Sequence, residues 1–139
     1  MTEEEILDRR EQIRAYLRMA RRALEASASN LEHGFYDTAV NRAYYAIFYA
    51  TSALLWSRGI SRSKHAGVIS AFRQYFVKPG IIEPEYSDLY GAVMESRITS
   101  DYEITLGADR PIAQKALDAA RRFVERVAAC LFETEGIQA

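Results

Sequence analysis

The sequence predicts an all-α fold, an up-and-down antiparallel bundle of about five helices. Three observations carry this. Apolar residues recur at threes, fours and sevens over long segments, and no segment sustains the every-other-residue alternation of a strand. The three prolines and seven glycines fall mostly where helices should end. Short loops between long amphipathic helices favour antiparallel neighbours. A chain of 139 residues fits one domain spanning 1–139. A domain of that size buries about two thirds of the surface its unfolded chain exposes.

The first helix is expected from about Glu3 to His33, with Ile6, Ile13, Leu17, Ala20, Leu24 and Leu31 on one stripe. Gly34 supplies its left-handed stop. Asp37 is placed to cap a second helix that runs to about Arg58, before Gly59. Ser61 or Ser63 caps a third, carrying Val68, Ile69, Phe72, Tyr75 and Phe76 as far as Pro79-Gly80. A fourth covers about Glu85 to Glu103 with Leu89, Tyr90, Val93 and Met94 inward. Asp109 and Pro111, cap and first-turn proline in order, open a fifth helix. That helix carries Ala113, Ala116, Leu117, Ala120, Phe123, Val124, Val127 and Leu131 on one face.

Composition narrows the function classes. With 49% apolar and 27% charged residues the chain is ordinary globular protein, and its net charge of −1 argues against coating nucleic acid by bulk charge. A local basic patch stays compatible with that balance. The single cysteine, Cys130, cannot form an internal disulfide and reads as a buried thiol in a reducing compartment. The segment MTEEEILDRREQIR is charged, and no stretch approaches the roughly 20 apolar residues of a membrane span. A cytoplasmic protein without a membrane partner is expected.

The second helix is unusual. From Ala39 to Trp56 it contains one charge, Arg42, among apolar residues at nearly every helical angle. Such a helix belongs in a domain centre or a subunit interface. A homodimer through this helix is predicted, with Tyr45, Tyr49 and Trp56 at the interface; the alternative is a central helix wrapped by the other four. Arg42 then needs a partner. On helix four, Arg97 follows Tyr90 by seven and Val93 by four, which sets it on the inward stripe, and Asp101 follows at i+4. Tyr102 falls about 140° from Arg97 on an ideal helix. These residues form either a functional site or a buried ion-pair network that fixes helix register.

Metal ligation and cofactor binding are not expected. His33 and His65 sit in different helices, there is one cysteine, and no glycine-rich phosphate loop occurs. The turn SRGISRSKHAG gathers Arg58, Arg62, Lys64 and His65 near a helix start. It reads as a solvated turn or as a phosphate contact.

With these residues in hand, the chain resembles the HEPN domain family over roughly Arg9 to Cys130. The resemblance is carried by GFYDTAVNRAYYAIFYA from Gly34 to Ala50, KHAGV from Lys64 to Val68, and ESRITSDY from Glu95 to Tyr102. It implies a dimerising up-down bundle and frequent pairing with a minimal nucleotidyltransferase as toxin and antitoxin. It also implies, in many members, metal-independent ribonuclease chemistry at an Arg followed by His after four to six residues. Arg97 matches the Arg; Tyr102 stands where the His should be. A histidine near 6.5 trades protons at neutral pH, whereas a tyrosine near 10 is a poor base.

The expected function is HEPN-type binding of RNA or a nucleotide, with cleavage weak or absent. Arg97, Asp101 and Tyr102 are the catalytic candidates. Arg42, Asn41, Tyr45, Arg62, Lys64 and His65 are the binding candidates. Arg97 would stabilise phosphorane charge and Tyr102 would donate a proton or stack on a base. His65 replaces the missing base only if folding brings it near Arg97. The alternatives are a non-catalytic partner of a minimal nucleotidyltransferase, with Tyr102 as a nucleotide acceptor, or a purely structural helical dimer.

Overall fold

The computed structural model describes residues 1–102 and 107–138, without the side chains of 99–102. Five α-helices follow in order: α1 Glu3–Glu32, α2 Tyr36–Trp56, α3 His65–Phe72, α4 Pro84–Tyr102 and α5 Arg110–Glu135. A wide π turn, Arg73–Val77, continues α3 towards Gly80. No strand occurs among the described residues.

The residue pattern explains the packing. In α2, Ala39, Ala43, Ala46, Ala50 and Ala53 are all fully buried and recur at alternating fours and threes, a small-residue seam that lets neighbouring helices approach closely. Ser27 of α1 donates to the Ala39 carbonyl across 2.7 Å at that seam. α2 packs against α1, α5, α4 and α3, which cover most of it. An aromatic knot ties the remaining helices. Phe72, Tyr90 and Phe123, from α3, α4 and α5, lie 5.3–6.0 Å apart by ring centroid. Arg126 of α5 adds a two-pronged clamp on Glu83, at 2.7 and 3.2 Å, that holds the α3–α4 connection.

Neighbours within the chain thus cover most of a helix whose sequence calls for burial. What stays half-exposed is a stripe of Arg42, Tyr45, Tyr49 and Trp56.

Two helix starts differ from expectation. Phe35, not Asp37, occupies the cap position of α2, and no side chain caps that helix. Asp37 lies in the first turn, where its charge suits the helix dipole, and its Oδ1 accepts the Ala108 amide at 2.7 Å. It thus fastens the approach to α5 to the start of α2. α3 begins at His65 with Lys64 in the cap position and no side-chain cap, so neither Ser61 nor Ser63 starts it. The chain leaves α2 through Gly59 at φ 69° and uses residues up to Lys64 to turn back, which postpones the helix. The stop at Gly34, φ 82°, and the Asp109 cap, whose side chain accepts from the Ile112 amide, fall where the sequence predicts them.

Asp109→Ala removes that cap. It should cost about 1 kcal/mol, read as a fall of a few degrees in thermal midpoint, whereas Asp118→Ala, in the middle of the exposed face of α5, should change it little.

Candidate active site

Tyr44 and Tyr45 are neighbours on α2, separated by about 100° around the helix axis. Tyr44 therefore turns fully inward while Tyr45 stays half-buried beside it. Their rings meet edge to face at 5.3 Å and 82°. Beneath Tyr44 stands Tyr90 of α4, 6.4 Å away by centroid.

Arg97, one turn beyond Val93 on α4, lays its guanidinium across both tyrosines. The carbon at its centre is 4.8 Å from the Tyr44 ring centroid and 5.6 Å from that of Tyr45. Arg42 approaches Tyr45 at 4.8 Å, and its Nε and Nη2 donate to Asn41 Oδ1 at 3.2 and 2.9 Å. Tyr45 therefore carries two guanidinium groups, each within the roughly 6 Å over which a cation feels a ring's quadrupole.

His65 completes the cluster. It is the first residue of α3, and its Nδ1 lies 2.8 Å from the Tyr44 hydroxyl. Its ring sits in an aromatic box, with centroids 4.6 Å from Phe48, 5.5 Å from Tyr44 and 5.6 Å from Tyr45. Burial pushes the His65 pKa below 6.5, and the Arg97 charge lowers it further. Burial pushes Tyr44 up to about 12, against a smaller opposite pull from Arg97. At neutral pH the pair is thus an uncharged imidazole bonded to an uncharged phenol beside a fixed cation. With the proton on Nδ1 donated to the Tyr44 oxygen, Nε2 keeps its lone pair for a substrate proton.

The cluster unites Arg97, Arg42, Asn41, Tyr45 and His65 from the sequence candidates. The side chains of Asp101 and Tyr102 lie outside the described residues. Arg62 and Lys64 stand exposed on the turn before α3, where Arg62 donates to the Ser61 carbonyl. Sequence reasoning misses Tyr44 and Phe48, counting them only as apolar members of α2. A buried tyrosine needs a partner for its hydroxyl, but nothing in the spacing singles out His65, 21 residues further on. A groove of about 400 Å3 between α4 and α5 is walled by Leu89, Val93, Ile112 and Ala116 among others and shares no residue with this cluster. The charged residues along it, Lys115, Asp118 and Arg122, are solvent-exposed. The polar cluster on the aromatic floor is therefore the candidate site.

A five-helix bundle with a cation-and-imidazole cluster on an aromatic floor defines a class of small helical domain. Within that class, the HEPN domain model matches residues 13–130, and the chain belongs to the HEPN domain family. A protein of Methanocaldococcus jannaschii named "putative toxin" is 36% identical over 129 residues, covering 91% of this chain and 93% of that protein. A UPF0332 protein of Thermotoga maritima is 43% identical over 90 residues, covering 65% of this chain and 68% of its own. The crystal structure of TT1696 from Thermus thermophilus matches with a TM-score of 0.73 at 20% identity, over 86% of this chain and 98% of that one, which shows a shared fold.

An NMR titration of His65 checks the electrostatics. Its midpoint should lie below 6.5 and rise in Arg97→Met, because a neighbouring cation that opposes protonation is gone; burial should keep it from recovering fully. A midpoint unmoved by the substitution would separate the two side chains.

Proposed function

We propose that this chain binds single-stranded RNA at the Arg97–Tyr44–His65 cluster and cleaves it as a metal-independent ribonuclease, with His65, from a different helix, standing in for the base that the family pattern places after the arginine. The observation that carries this reading is the imidazole bonded to Tyr44 on the same aromatic floor that holds the Arg97 guanidinium. In the proposed step, His65 Nε2 accepts the proton of a ribose 2′-hydroxyl and that oxygen attacks the adjacent phosphorus. Arg97 stabilises the negative charge gathering on the phosphoryl oxygens. The bond to the 5′-oxygen breaks, that oxygen takes a proton from water, and a 2′,3′-cyclic phosphate remains. Tyr44 orients the imidazole, and Tyr45 with Arg42 offers a stacking surface and a phosphate contact for the neighbouring nucleotide.

The name "putative toxin" carried by two relatives agrees with an RNA-cleaving activity held in check. The restraining partner in this reading is a minimal nucleotidyltransferase.

Cleavage of a labelled oligoribonucleotide in chelator should proceed in wild type and fall at least a hundredfold in His65→Ala and in Arg97→Ala, the range for loss of general-base or charge-stabilising groups. The rate should drop as pH falls below 6.5, since the depressed His65 is the species that must be uncharged. Cleavage by His65→Ala equal to wild type would remove the base from this mechanism. A wild type that binds a neighbouring nucleotidyltransferase yet cleaves nothing would leave the adaptor reading instead.

A further inference from the structure

On the far side of Tyr49 from the cluster, a groove of about 290 Å3 opens between α1 and α2, lined by Met19, Arg22, Ala23, Ala26, Arg42 and Tyr49. Its lining contains two arginines, an aromatic ring and no carboxylate. Among the described residues neither Arg22 nor Arg42 makes an ion pair, although α1 spends Arg18 on Glu11 and Arg21 on Glu125. The groove is continuous with the candidate active site. The Tyr49 ring lies 5.8 Å from Tyr45, Arg42 covers Tyr45 at 4.8 Å, and Arg97 reaches the same ring at 5.6 Å. Guanidinium groups interleaved with aromatic rings along one track are what a single strand requires, phosphates on the cations and bases on the rings.

We infer that the α1–α2 groove is a second nucleotide subsite, in which Arg22 and Arg42 hold backbone phosphate and Tyr49 stacks a base one or more nucleotides away from the cleaved bond. The assignment rests on the RNA reading above. A second copy of the chain is the competing occupant of this face, and the test below separates the two. An acidic peptide would meet the charge but leave unexplained why the track runs into an aromatic floor bearing Arg97 and His65.

The test measures binding of a 2′-O-methyl decanucleotide, which has no 2′-hydroxyl to react, by fluorescence anisotropy. It also compares cleavage of an unmodified decanucleotide with that of a dinucleotide. In Arg22→Glu the Kd for the decanucleotide should rise at least tenfold, and in Tyr49→Ala about fivefold or more. The ratio of kcat/KM for decanucleotide over dinucleotide should fall by a similar factor. In Arg22→Ala the slope of log Kd against log salt should shrink by about 0.7, the share of one single-strand phosphate contact. Thermal melting verifies that the variants fold, which the exposure of Arg22 favours. Wild-type Kd and ratio in both Arg22→Glu and Tyr49→Ala would overturn the subsite while leaving the cluster's reading intact. A changed mass in light scattering with unchanged Kd would make the groove a contact between copies and overturn it as well. A wild type that neither binds nor cleaves RNA would remove the parent reading itself, a result distinct from either.

Discussion

The Arg97 guanidinium resting on the Tyr44 ring is the interaction on which the site depends. It is held there by the core, not by a loop. Tyr44 stands on Tyr90, and Tyr90 belongs to the aromatic knot that also fixes Phe72 of α3 and Phe123 of α5. The same buried rings thus place the helix that carries Arg97 and the helix that begins with His65. A cation over an aromatic face gains about 0.5–2 kcal/mol, more as water is withdrawn. That is modest in the stability of a domain, but it is directional: the guanidinium is kept over the rings.

The electrostatic consequence is a division of roles among three groups at close quarters. Burial and the Arg97 charge act in the same direction on His65, both favouring the neutral ring. On Tyr44 they act in opposite directions, and burial prevails, so the phenol also stays neutral. The Arg97 guanidinium thus stands between two hydrogen-bonding groups that are both uncharged at neutral pH.

The fold is legible in the sequence because helical periodicity is a local property of the chain. Arg97 is legible for the same reason: seven after Tyr90 and four after Val93, it has to face inward, and it meets α2. The continuous apolar character of α2 signals burial correctly. The alanine seam from Ala39 to Ala53 explains how so much of one helix is covered within the chain, since small residues let α1 and its neighbours approach closely. The helix starts at Asp37 and at Ser61 or Ser63 mislead because a capping side chain is recognised by type, while whether it caps depends on backbone torsions that the preceding turn dictates. The bond between Tyr44 and His65 joins residues separated by that very turn, and spacing alone carries no information on it.

The α2–α3 turn consequently sets where the His65 ring stands. Gly59 takes φ 69°, the Ile60 amide returns to the Leu55 carbonyl at 3.0 Å, and the chain then runs on to an extended Lys64 before α3 starts. A Cβ on Gly59 would sit in a backbone region that side chains disfavour and 3.2 Å from the Arg9 guanidinium. Because α3 opens without a side-chain cap, nothing on the helix itself fixes where its first residue falls. The position of the imidazole follows from the turn on one side and from Phe72 in the core on the other. The family pattern supplies an imidazole from the same helix as the arginine; here the imidazole beside the arginine comes from a different helix. What proton transfer requires is a neutral ring at the right place relative to the guanidinium, and a rigid turn can meet that requirement as well as helical spacing can.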